Sequence, residues 1–295
     1  MKKNIFLIMA AASVVAALPG CTDTDGYPVQ EQNTALSVAD IGFGSKAADG
    51  ANGTSKAYFE PGDMIMLYLP GSGGDPYRKV TLTPSGWVLD SPVTLSENDT
   101  GIYACYPAVS AGDELLIEHI TGMDYLYSGK HTANRMNPSI FLAMRHALAL
   151  IEFEFEPGPL ITGSPVDFIS IEGEGLHSRA AISLLSGKPA YEENIHEPAI
   201  IYGRQMENPF IGYDTKISLM VVPVMQVKSD GDIFFNFCFG EFKYHWPVPA
   251  GTAWESAKRY TYRVQLRERL LEVTDVQVQD WTDGGKETVT LPWHQ

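Results

Sequence analysis

The clearest alternation of apolar and polar positions runs from Ala147 to Glu156. Ala147, Ala149, Ile151, Phe153 and Phe155 share one apolar face. The opposite positions begin with Leu148 and Leu150 and then turn to Glu152, Glu154 and Glu156. A period of two with this contrast predicts a β-strand with one face on a core and the other partly covered, then wet. The same habit recurs. Ile233, Phe235, Phe237 and Phe239 fall on one side of a late segment, and Tyr260, Tyr262, Val264 and Leu266 alternate with Thr261, Arg263, Gln265 and Arg267. Shorter strand-like runs occupy 57–69, 77–82 and 101–106, the last ending at Pro107. A strand over 273–281 is followed by Asp283-Gly284, a hairpin dipeptide, and a final run over 286–293. Helical periodicity is confined to a short stretch near Trp254 to Lys258. Many short strands separated by Gly/Pro turns predict an all-β fold of β-sandwiches.

The N-terminus follows another pattern. Lys2 and Lys3 precede an uncharged run from Ile5 to Leu18 in which Ser13 is the one polar side chain. The run is shorter than the ~20 residues that span a bilayer, and it fits the apolar region of a secretory signal. It ends in Leu18-Pro19-Gly20-Cys21, which resembles the lipobox of bacterial lipoproteins. The resemblance implies cleavage before Cys21 and lipidation of its thiol, with attachment to a membrane through two or three acyl chains. Thr22 to Ala35 is polar, a tether reaching roughly 45 Å when extended.

Removing residues 1–20 takes away two lysines and no acidic residue, so the formal charge moves from −15 to −17 over the remaining 275 residues. That length suggests about two domains. The expected organisation is a signal peptide over 1–20, a tether over 21–35, and two tandem sandwiches over 36–158 and 159–295. The turn-rich segment 156–165 carries the boundary. Strong acidity argues against nucleic acid as a partner, because phosphates would be repelled. Cys105 and Cys238 lie among apolar strand residues and read as small core residues of different domains.

Candidate chemistry is sparse. The seven histidines show no pair at metal-ligand spacing. Gly71-Ser72-Gly73-Gly74 lacks the lysine and helix of a phosphate loop. Asp23 to Gly26 and Asp230 to Asp232 lack the later acidic ligand of a calcium loop, and read as tether and turn. Glu152, Glu154 and Glu156 on alternate strand positions read as a solvated face rather than a glycosidase pair. No cofactor, metal or catalytic residue is expected, and the chain reads as a non-enzyme. Trp87, Trp246, Trp254, Trp281 and Trp293 leave open a glycan-binding surface, which requires them exposed together.

The order of several weak motifs carries more. Phe59-Glu60-Pro61-Gly62-Asp63 leads into an apolar strand and is followed by Gly86-Trp87 and Tyr106-Pro107. Then come Asp124-Tyr125-Leu126-Tyr127, Met144-Arg145-His146-Ala147-Leu148-Ala149, Tyr260-Thr261-Tyr262-Arg263-Val264, and Trp281 after a Val-x-Val strand. Together these resemble the fimbrillin-like lipoproteins of Bacteroidales, the subunits of type V pili. The resemblance implies two transthyretin-like sandwiches, an outer-membrane lipoprotein at the cell surface, and other fimbrial subunits as partners. Host or bacterial surface ligands are further candidate partners. It also implies assembly by strand exchange, in which a protease removes the lipidated segment with the first strand and a neighbour's strand fills the groove.

Leu36, Val38, Ile41 and Phe43 are the candidate residues of that first strand. Val289, Leu291 and Trp293 are those of the C-terminal segment, which the resemblance favours as donor. The family's processing is typically arginine-directed. No arginine lies between Cys21 and Arg78, and Lys46 and Lys56 are the only basic residues there. They are the candidate processing sites; an uncut subunit would suit an anchor. The alternative reading is a non-polymerising glycan-binding surface lipoprotein.

Overall fold

Alternation of apolar residues produces strands throughout. A computed structural model of the chain describes residues 34–43, 59–72, 74–108, 112–118, 123–156, 167–194, 199–203, 216–267, 270–281 and 289–290. All of them belong to one compact unit, Asn33–Gln295. The first strands are β1 (Thr34–Ala35), β2 (Ser37–Phe43), β3 (Met64–Tyr68), β4 (Tyr77–Thr83), β5 (Gly86–Leu89) and β6 (Thr94–Leu95). They are followed by β7 (Thr100–Tyr106), β8 (Glu114–Glu118), β9 (Leu126–Ser128), β10 (His131–Ala133) and β11 (Ser139–His146). The remainder are β12 (Ala149–Phe155), β13 (Phe168–Glu172), β14 (His177–Ser183), β15 (Pro189–Asn194), β16 (Ala199–Gly203) and β17 (Lys216–Val221). The series closes with β18 (Phe234–Phe239), β19 (Phe242–Pro247), β20 (Lys258–Arg267), β21 (Leu270–Asp280) and β22 (Val289–Thr290).

An eight-stranded sheet has the order β2-β11-β9-β7-β3-β4-β5, with β10 on β7. It wraps a core that includes Ile65, Leu67, Val80, Ile102, Leu126, Ile140 and Leu142. In the second half, the sheet β17-β12-β20-β21-β22 faces the sheet β16-β13-β18-β19. Between them Phe153 is met edge-on by Phe235 at 4.8 Å and Phe237 at 5.2 Å, with Tyr262 stacked at 5.8 Å. The predicted apolar faces of β12, β18 and β20 are the inner faces of this β-sandwich. No helix occurs among the described residues.

A further sheet, β15-β14-β8, joins a strand of the first half to two of the second. Leu115 and Ile117 of β8 point into a third core with Met66, Cys105, Leu150, Ile182, Met220 and Trp281. Arg179 and Glu118 pair across β14 and β8 at 2.8 Å. The chain passes from the eight-stranded sheet to the sandwich of the second half through Ala147-Leu148. β11 pairs with β2 and β9, whereas β12 pairs with β17 and β20. The segment 157–166 lies outside the described residues.

Two expectations are corrected. Residues 254–258 are not helical: Trp254 forms a β-bridge with Val224, and Ala257 turns through the left-handed region at φ 58°. The glutamates on and just after β12 are not a free solvated face either. Glu152 is 8% exposed and accepts a hydrogen bond from Thr261 Oγ1 at 3.2 Å. Glu154 lies 2.5 Å from Lys216 Nζ and 3.5 Å from Arg263 Nε. Burial opposes ionisation of Glu154, but these two cations outweigh it and hold the carboxyl below its usual range. Glu156 accepts from Thr274 Oγ1 at 2.7 Å. The polar side of the strand is a ladder of cross-strand partners.

Replacing Phe153 with Ala removes the centre of the aromatic cluster and is expected to cost about 3–5 kcal/mol, measured by urea unfolding. Burial pushes the phenol of Tyr262 above its ordinary range, against a hydrogen bond from Trp254 Nε1 at 2.9 Å. That of Tyr260 is pushed up to about 12, chiefly by burial. Their folded values exceed the unfolded one of about 10, so the stability they confer is complete below about pH 10 and is lost as pH rises through the folded values. Urea midpoints are expected to fall between about pH 10 and 12. A midpoint unchanged over that range would contradict the burial of these phenols.

Candidate functional site

The first strand is seated by three contacts. Its backbone runs parallel to β11, from Ser37 opposite Ser139 to Phe43 opposite Met144. Upstream, Leu36 N donates to Val93 O at 2.9 Å and β1 pairs with β6, clipping the other side of the strand. Ser37 N donates to Pro138 O at 2.9 Å. The parallel ladder contains a bulge, so that Val38 opposes Ile140 while Asp40 opposes Phe141. Ala39 is the extra residue. The bulge turns Val38 and Ile41, three apart, onto the same side, and both are buried with Leu36 in the first core. Ser37, Ala39 and Asp40 face outward.

Burying Leu36, Val38 and Ile41 contributes about 1.5–3 kcal/mol each, as an upper estimate. The first strand is thus a structural member of the core while attached near the chain's N-terminal end.

The other candidates are placed less completely. Val289 opposes Val278 and Thr290 opposes Gln277, so β22 is a two-residue addition to the edge of β21. Leu291 and Trp293 lie outside the described residues, as do Cys21, Lys46 and Lys56. Among the described residues the two candidate segments end different sheets: β2 ends the eight-stranded sheet and β22 ends the five-stranded sheet of the second half.

The tryptophans do not form a shared exposed face among the described residues. Trp246, Trp254 and Trp281 are buried, and Trp87 is half-buried, with Phe59 edge-on at 5.4 Å. Asp230 and Asp232 serve turns: Ala250 N donates to Asp230 at 2.7 Å and Ser229 N to Asp232 at 2.8 Å. Cys105 and Cys238 are both buried.

A further group joins motifs that lie far apart in the sequence. Asp124, His146 and Trp281 meet between the halves. His146 Nδ1 lies 3.0 Å from the Asp124 carboxylate, and the imidazole lies flat on the Trp281 indole, with centroids 3.6 Å apart and planes at 5°. The preceding residue, Arg145, lies over the Tyr127 ring at 4.9 Å. The common feature was the order of motifs, which gives no information on which of them touch.

With this geometry in view, comparison with known families is decisive. A family model described as fimbrillin-like matches residues 59–281. The chain belongs to the fimbrillin-like family. The match begins at Phe59, downstream of β2, and ends at Trp281, the residue stacked on His146. Among solved structures, the fimbrillin-like chain is similar to a candidate cell adhesion protein from Bacteroides uniformis. The identity is 16% and the TM-score 0.63, over 84% of this chain and 98% of the other. A candidate cell adhesion protein from Bacteroides ovatus gives 13% identity and a TM-score of 0.60, over 86% and 99%. At such identities the likeness establishes the fold alone. No curated protein matches the sequence.

Replacing buried Ile41 with Ala is expected to lower stability by about 2–4 kcal/mol. Replacing exposed Ala39 with Ser should change it by less than about 0.5 kcal/mol. Paired urea melts of the two variants check the seating of β2; equal effects would contradict it.

Proposed function

We propose that this fimbrillin-like chain is a structural subunit or anchor of a surface fimbria, joined to other fimbrial subunits by strand exchange. The observation that carries the reading is the seating of β2. It is a sheet-end strand held by a parallel ladder and a short clip, yet Val38 and Ile41 of the strand, with Leu36 just ahead of it, enter a core. Loss of such a strand leaves unpaired backbone groups along β11 and an apolar slot beneath them. A strand from another subunit satisfies both at once. The family and the fold are those of adhesion and fimbrial proteins, and no catalytic role is proposed.

In this reading the chain is exported, lipidated at Cys21 and held at the outer membrane by that lipid. The two halves, each with its own core, act as tandem transthyretin-like sandwiches, with β12 counted in the second. Lys46 or Lys56 is the cleavage point where the anchor is cut. A subunit that escapes cutting keeps β2 and the lipid and serves as an anchor. The C-terminal segment is the donor: Val289, Leu291 and Trp293 alternate at the period of a strand and can fill an apolar slot from one face.

Two forms of the mature protein test the reading, one beginning at residue 21 with Cys21 replaced by Ser and one beginning at residue 57. The shorter form is expected to give laddered polymers on denaturing gels without boiling, while the longer stays monomeric. A shorter form that stays monomeric, and captures no other fimbrial subunit, would overturn strand exchange.

A further inference from the structure

Four motifs separated along the chain converge on the short crossover between the halves. Ala147 N donates to Tyr125 O at 2.8 Å, and Ser256 Oγ donates to Ala147 O at 2.9 Å. Ala257 N donates to Leu148 O at 3.0 Å, and Trp281 N donates to Ala257 O at 2.7 Å. Ala257 is the one described non-glycine residue with positive φ, a conformation that persists only where its surroundings hold it. Here both of its backbone polar groups are engaged, one with the crossover and one with Trp281.

Above this clamp sits the stacked pair. His146 and Asp124 are each 2% exposed. His146 Nδ1 and the Asp124 carboxyl group are within hydrogen-bond distance of each other, at 3.0 Å. The indole of Trp281 closes the imidazole's face. Asp124 and His146 belong to the first half, while Trp281 follows the last residue of β21 in the second. His146 also ends β11, whose preceding residues through Met144 pair with β2. One three-residue contact therefore joins the strand that holds β2 to the point where the chain leaves β21.

We propose that Asp124, His146 and Trp281 form a latch that makes the two halves open as one cooperative unit, so that the hold on β2 depends on the docking of Trp281. Its purpose rests on the strand-exchange reading. The latch keeps β11 straight and in register while β2 is exchanged, and it fixes the root of the C-terminal segment. The contact is suited to this role because it is bistable. A buried, hydrogen-bonded stack between two packed surfaces is either formed or broken, with few intermediate arrangements.

Hydrogen exchange followed by mass spectrometry on the full mature chain, with Cys21 replaced by Ser, tests the coupling. In the unaltered protein, amides of β2–β11 and of β20–β21 should share one slow opening, and calorimetry should give one transition. Trp281→Ala is expected to accelerate exchange in β2–β11 by about tenfold, although Trp281 belongs to neither strand, and to split the melt in two. Trp281→Phe, which keeps a ring on the imidazole, should give a smaller acceleration at both places. Phe153→Ala serves as the control for simple destabilisation: it should lower stability yet retain one transition.

If Trp281→Ala accelerates only β20–β21, or if the unaltered halves already open separately, the latch is refuted. A Trp281→Ala chain that fails to fold leaves Trp281→Phe to decide by the same exchange comparison. The readout needs no polymer, so failure of the latch and failure of strand exchange are distinguishable.

Discussion

The run from Ser139 to Phe155 is the constraint on which the rest depends. Two strands follow one another with only Ala147-Leu148 between them, and each is central to a different group of strands. β11 carries β2 on one edge and β9 on the other; β12 lies between β17 and β20. A register slip of one residue in either strand would exchange its buried and exposed faces. Because the link is so short, an error in one half would be passed to the other. The crossing strand β8, which leaves the first half to pair with β14, closes the same connection from the opposite direction. The third core between them is the physical expression of that double linkage.

Charge is organised to support register more than to add stability. Lys216, Glu154, Arg263 and Asp275 form a row across β17, β12, β20 and β21, with separations from 2.5 to 3.7 Å. Exposed pairs of this kind each contribute about 0–1 kcal/mol. Their consistent alignment nevertheless penalises a shifted ladder, which would bring like charges together. The acidic surplus is thus partly spoken for by fixed cross-strand partners. The remainder suits an exported protein that must stay soluble at a crowded surface.

Much of the fold was legible in the alternation of side chains, and for a simple reason. Phe153, Phe235, Phe237 and Tyr262 point inward because a sheet allows only two faces, and their apolar faces identify the core directly. What alternation cannot state is the partner. Glu152 follows the polar phase of β12, yet it is buried beside Thr261 because neighbouring strands and the third core cover that face. Val38 and Ile41 break the period of two, and only the bulge against β11 explains their shared burial. Around Trp254 a local pattern suggested a helix, but the β-bridge to Val224 and the clamp on Ala257 prevailed. The candidate site was legible as segments. The joining of Asp124, His146 and Trp281 was not, because three distant motifs have no sequence signal of contact.

The seating of β2 sets a limit on how strand exchange could proceed. Three buried side chains are worth about 5–9 kcal/mol together, as an upper estimate. Whole domains are stable by only about 5–15 kcal/mol. Spontaneous departure of β2 would therefore expose a state close to unfolding, and simple competition by a donor would be slow. Cutting the chain after β2 changes the problem, since the freed strand is diluted away instead of remaining at high effective concentration. The donor must then supply similar burial from one face. Val289, Leu291 and Trp293 alternate at the period of a strand, so they can do so from a single side of an extended segment. In the proposed exchange the first strand must be strong enough to keep an uncut subunit whole, and the last segment must be free to leave. The ladder of β2 on β11 meets the first of those demands.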